Sequence, residues 1–139
     1  MNIKDLVNFS VANKDKYQKI TINELEKSEV ENIKNHTNID LTGYKRVMDS
    51  HAINHVIKNH GNIKREILRG QIAVNEDDFE KIPEIIAEPN TIEYAGKNDI
   101  GRDLIKFTQS KEEKLIYVEE VRSGKKEVAL QTLYKQKVR

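Results

Sequence analysis

The apolar residues of this chain change their period near Pro89, and that change limits the fold more than any other feature. Before it, apolar positions recur at helical spacing. After it they come in short runs at residues 91–96, 104–108, 115–122 and 127–135, rich in Ile, Val, Leu, Phe, Tyr and Thr and divided by turn residues. No crossover helix fits into links this short, so the runs predict antiparallel neighbours in a four-stranded meander. Helices first and strands last is an α+β order, with N-terminal helices packed on a four-stranded antiparallel β-sheet.

The helical half divides at residue 20. Residues 1–20 read as an N-terminal arm or a short helix, and 21–139 as a single domain. From Thr21, the segment TINELEKSEVENIKN predicts a helix with Ile22, Leu25, Glu29 and Ile33 near one face. The segment MDSHAINHVIKNHGN predicts a second helix. Asp49 or Ser50 is its cap, Ala52, Ile53, Val56 and Ile57 are its apolar stripe, and Gly61 is a left-handed residue past its end. A shorter helix over 77–86 carries Phe79, Ile82, Ile85 and Ile86, with Pro83 starting or kinking it.

The 139 residues include no cysteine, which excludes disulfides, thiolate nucleophiles, iron–sulfur clusters and Cys-based zinc sites. No apolar run approaches the ~20 residues of a membrane helix, so no membrane partner is expected. There is no glycine-rich nucleotide loop and no GxSxG elbow. The net charge of +1 hides a split: residues 44–70 carry +4, 76–93 carry −6 and 122–139 carry +5. If the basic segments converge in the fold, they make a cationic surface suited to a polyanion; otherwise they are the solvated faces of ordinary elements.

The chemistry left to such a chain is acid–base work by imidazole supported by cations. His51, His55 and His60 lie within ten positions of each other. His51 and His55 share a helix face with Lys58, while His60 lies about 140° around the axis from His55. The two could reach one phosphate if His60 bends away from a frayed last turn. His60 could equally be a packing or capping histidine at the helix C-terminus. The His51–His55 spacing would suit two metal ligands, but no Glu stands between them and no third ligand motif exists, so neither metal nor cofactor is expected. In the last strand, alternation puts Val128, Leu130, Thr132 and Tyr134 on one face, apolar at first and polar toward the end. Arg122 reads as either a turn cation or a phosphate ligand.

The runs GYKRVMDSHAINHVIKNHG, RGQIAVNEDDFEKIPEIIAEPNTIEY and KLIYVEEVRSGKKEVALQTLYK resemble the phage-encoded branch of the barnase–EndoU–colicin–RelE-like (BECR) nucleases. The resemblance covers about residues 37–135 and implies a BECR-like domain that cleaves RNA without metal, by 2′-hydroxyl attack. It implies a phage, mobile-element or toxin context, cytoplasmic action, an RNA substrate with tRNA one candidate, and an acidic inhibitor or immunity protein. Its helix histidines match His55 and His60, its final-strand hydroxyls Thr132 and Tyr134, and its basic position Arg122. Lys58 is a further phosphate contact, and His51, which matches no family position, is a candidate substrate contact. The alternatives on the same fold are a non-catalytic nucleic-acid-binding module and a structural or interaction domain of a phage particle.

Overall fold

The computed structural model describes residues 1–138, so Arg139, the last cation of the C-terminal basic segment, lies outside the described residues. At the N-terminus, Asn2 and Asp5 form a reciprocal capping box that starts α1 (Ile3–Ala12). Leu6 and Val7 of this helix are buried in the main core, together with Ile53, Val56 and Phe79.

The helix predicted from Thr21 starts later. Lys19–Glu24 forms strand β1, and helix α2 (Lys27–Thr37) follows. Ile20 and Thr21 pair antiparallel with Met48 and Val47 of β2 (Lys45–Asp49), so tertiary strand pairing overrides a stripe that also fits a helix. Asp49 ends β2 and caps α3 (Ser50–His60), its side chain accepting from the Ala52 N–H at 2.8 Å. Ile53 and Val56 are fully buried, as their spacing predicts.

Gly61 is not left-handed: its φ is −94°. Its lack of a side chain is needed because a Cβ there would stand 2.5 Å from the Ile57 carbonyl oxygen. The chain continues through α4 (Ile63–Leu68), β3 (Gln71–Ile72), a 3-10 helix (Glu76–Lys81) and α5 (Ile82–Ala87), which has Pro83 in its first turn. The meander follows as β4 (Thr91–Lys97), β5 (Asp103–Ser110), β6 (Glu113–Arg122) and β7 (Glu127–Lys137).

Among the described residues the sheet has seven strands rather than four, in the order β1-β2-β7-β6-β5-β4, with β3 also on β7. The β2–β7 pair is parallel and all other pairs are antiparallel. The three additional strands are short: β2 and β3 carry no run of alternation, and the brief alternation of β1 also fits a helical stripe. β2 pairs with β7 at residues 127–129 and β3 pairs with it at 135–136. Between those pairings β7 has no strand neighbour on that side among the described residues, and α3 lies along it, with His55 near Gln131 and His60 on Tyr134.

The predicted single row Val128, Leu130, Thr132, Tyr134 is broken by a bulge. Glu119 pairs with Leu130 and Val118 with Thr132, so Gln131 is an extra residue in β7. Cross-strand partners share a face and successive residues alternate. Val128, Leu130, Leu133 and Lys135 therefore stand with Leu115 and Tyr117 on the core face. Thr132, Tyr134 and Gln136 stand with Val118, Ile116 and Lys114 on the other face, which Glu120 and Arg122 of β6 extend.

A buried ion pair crosses the core. Arg46, 1% exposed, donates from Nε and Nη2 to the fully buried Glu119 at 2.8 and 3.0 Å, and also pairs with Glu29. Burial disfavours the guanidinium charge, but Glu119 outweighs it and keeps Arg46 protonated. Burial and then the Glu119 charge push the Tyr117 phenol well above its ordinary range, so Tyr117 stays neutral and donates to Glu119 at 2.8 Å.

Candidate active site

The face of β6 and β7 turned away from the core carries every strand residue singled out from the sequence. Arg122, Thr132 and Tyr134 share it by register, and α3 flanks it along the unpaired stretch of β7. The helix histidines meet this face at two ends.

At one end, His51, His55 and Arg122 line an open depression of about 370 Å³ together with Asp49, Glu120 and Gln131. His51 packs edge-on against Tyr17, with ring centroids 5.0 Å apart. His55 is exposed, and its Nε2 accepts from the Asn59 side-chain amide at 3.0 Å. The Arg122 guanidinium donates to Glu120 at 2.7 Å and to Asp49 at 3.3 Å, and lies 3.8 Å from Glu127. Burial works against its charge, but Glu120 and Asp49 outweigh it and raise its pKa. Arg122 is therefore held by carboxylates on three sides, and a phosphate would have to displace one of them.

At the other end, the His60 ring stacks on Tyr134 with centroids 5.6 Å apart and an interplanar angle of 28°. His60 does not bend out of a frayed turn, because α3 is regular through His60 and the Gly61 N–H donates to the Ile57 carbonyl at 2.8 Å. Its Nδ1 lies 3.2 Å from Oε2 of Glu66, a carboxylate with no exposure on the inner side of α4. The other Glu66 oxygen accepts from Arg69 at 2.9 Å, and the same Arg69 nitrogen donates to the Asn59 carbonyl at 2.7 Å. Glu66 was not singled out from the sequence. It lies in the segment between the predicted helices, six positions from His60, a separation that no helical period marks.

Thr132 stands on β7 between these two ends and makes no side-chain hydrogen bond among the described residues. His60, Thr132 and Tyr134 do not line the depression that holds His51, His55 and Arg122. The histidines thus address two parts of one sheet face rather than a single enclosed cavity. A larger cavity of about 720 Å³ lies over Arg46 between β1, α2 and α5, and it contains none of these residues.

The two basic segments converge only in part. Arg46, Lys45, Arg122 and Lys135 are drawn into ion pairs with Glu119, Glu127, Glu120 and Asp78. Arg69 from the first segment and Lys137 from the second do meet, with Lys114, around a cavity of about 490 Å³ beyond Tyr134. Lys58 is exposed and forms no ion pair among the described residues. None of the helices is long and apolar enough to cross a membrane among those residues.

A family model described as phage-Barnase-EndoU-ColicinE5/D-RelE like nuclease3 matches residues 23–139. No curated protein and no solved structure matches the chain.

Proposed function

The chain belongs to the phage-Barnase-EndoU-ColicinE5/D-RelE like nuclease family, and from that premise we propose that it is an endoribonuclease acting without metal. The ribose 2′-hydroxyl attacks the adjacent phosphorus, the bond to the 5′-oxygen breaks, and the products are a 2′,3′-cyclic phosphate and a 5′-hydroxyl. One imidazole takes the 2′-hydroxyl proton and the other protonates the departing oxygen, each worth about 10²–10⁴ in rate.

The observation that carries this reading is the pairing of α3 with the sheet face turned away from the core. His60 stacks on Tyr134 at one end of that face, and His55 lies beside Arg122 and Gln131 at the other. Thr132 stands between them, where a hydroxyl can orient a phosphate. His55 is exposed, with one side-chain partner, and can turn about its side-chain torsions toward Thr132 while His60 stays fixed. Lys58, Lys114 and Lys137 supply free cations for the backbone of the strand, and Arg69, paired with Glu66, borders the same cavity as the last two. Arg122, already neutralised, shapes the wall of the depression. On this reading the protein acts on RNA in the cytoplasm, in a phage, mobile-element or toxin context. The same cations make an acidic inhibitor its natural partner.

The test is cleavage of an RNA oligonucleotide and of the DNA of the same sequence, both in EDTA. The RNA should yield cyclic phosphate and the DNA should resist, because it lacks the nucleophile. His55→Ala and His60→Ala should each lower the rate by about 10²–10⁴. Cleavage of both polymers, or none without a divalent ion, would contradict the proposal.

A further inference from the structure

Glu66 is a buried carboxylate in contact with a proposed catalytic histidine, and the reaction as written does not use it. It is fully buried on a helix of six residues whose other side chains are largely turned outward: Ile63 and Ile67 are each 67% exposed and Leu68 is 87% exposed. A buried carboxylate needs partners, and Glu66 has two. Its Oε2 faces His60 Nδ1 at 3.2 Å and its Oε1 accepts from Arg69 at 2.9 Å. Arg69 also binds the Asn59 carbonyl, which ties the carboxylate to the end of α3. His60 is held from two further sides. Its ring lies on Tyr134, and its carbonyl accepts from the Val74 N–H at 2.7 Å.

A carboxylate oxygen can only accept. The contact therefore requires the proton of a neutral His60 to sit on Nδ1, which leaves the lone pair on Nε2. His60 Nε2 makes no hydrogen bond among the described residues, and the side chain is 18% exposed, open enough for a substrate hydroxyl to reach. His55 is held differently: its partner is the neutral amide of Asn59.

We infer that Glu66 is a positioning residue that fixes His60 with Nε2 free, making His60 the general base and leaving His55 as the general acid. The inference rests on the ribonuclease reading above. In the step, the 2′-oxygen gives its proton to His60 Nε2 and bonds to phosphorus. The 5′-oxygen leaves with a proton from His55, so the exchange balances with no co-reactant.

Two measurements test it. In the first, long-range proton–nitrogen NMR spectra of the histidine-labelled protein at about pH 9, above the ordinary imidazole range, report the tautomer. His60 should carry its proton on Nδ1, and a ring protonated on Nε2 alone would overturn the assignment. This needs no variant and no activity.

The second uses uridine 3′-(4-nitrophenyl phosphate), whose leaving group needs no acid, beside an ordinary dinucleotide. Glu66→Gln should lower kcat about 10–100-fold on both substrates with KM within about twofold. His55→Ala should be defective on the dinucleotide alone. Recovery of Glu66→Gln or His60→Ala on the activated substrate would make His60 the acid and overturn the proposal. Full activity of Glu66→Gln beside an inactive His60→Ala would overturn the role of Glu66 and leave the ribonuclease reading intact. A fully active His60→Ala would take His60 out of the reaction and overturn the proposal, whereas a parent protein that cleaves neither substrate would remove the ribonuclease reading itself.

Discussion

At the scale of single residues, the site depends on how tightly the end of α3 is closed. Gly61 follows His60, and its backbone passes so near the Ile57 carbonyl that an added Cβ would stand 2.5 Å away. The obstacle is backbone, which cannot swing aside as a flexible side chain does. Gly61→Ala should therefore cost about 1–3 kcal/mol, seen as a lower midpoint in urea with an unchanged slope. The strain enters between His60 and the N-terminus of α4, so the His60–Glu66 contact should loosen in the same variant. A cleavage rate that falls further than the loss of folded protein explains would show that coupling. A variant as stable and active as the parent would show that the turn can shift without consequence. The argument for glycine here differs from the usual one, since φ is negative and the constraint is close approach rather than handedness.

At the scale of elements, the bulge at Gln131 decides which face the last strand presents. Leu130 faces the core, and Thr132 faces the other side beside Val118. Two residues standing against one on β6 let a core strand become a site strand within its own length. Deleting Gln131 restores one-to-one pairing without moving either flank to the other face. The shortened protein should fold, with a thermal midpoint within about 5 °C of the parent, because the core partners are kept. It also loses the bond from Asn98 to Gln131 at 3.1 Å and the extra twist that sets Thr132 and Tyr134 against α3, so RNA cleavage should drop sharply. Retained activity would separate the bulge from the site.

The same strand shows what the sequence makes legible. The four long strands, α3 and the apolar side of the 3-10 helix and α5 are readable because each repeats its period several times. β2 and β3 are too short to repeat anything, and the Ile20-Thr21-Ile22 stretch fits either period until its partner is known. A bulge is one residue among many, and the Glu66–His60 contact joins two helices through a turn. Local pattern carries no trace of either.

At the scale of the whole molecule, buried charge sets how the protein meets acid. Asp78 has no exposure. Burial alone would raise its pKa, but hydrogen bonds from Lys135, Lys81 and the Asn75 N–H outweigh burial and hold it below the ordinary carboxylate range. Glu127 is likewise raised by burial and lowered further by Lys19, Lys45 and Arg122. In both cases the folded protein binds fewer protons than the unfolded chain near the ordinary carboxylate value of about 4. The stability these groups add is therefore fully present above that value and is lost as pH falls through their lower folded values. Thermal midpoints should accordingly be flat from neutrality down to about pH 5 and fall steeply below about pH 4.

Asp78→Asn isolates one contribution. It leaves Lys135, itself 5% exposed, with Glu113 at 3.5 Å as its remaining carboxylate. Breaking a buried pair from one side costs about 3–5 kcal/mol, so the variant should be less stable at pH 7 and show a shallower acid limb. Equal slopes in the two proteins would mean that Asp78 keeps an ordinary carboxylate pKa when folded. Lys135 lies next to Tyr134 in β7 with its side chain on the opposite face. The Asp78–Lys135 pair thus anchors the core side of the strand whose other side stacks on His60, and acid that releases the pair loosens the His60–Tyr134 face before the sheet itself comes apart.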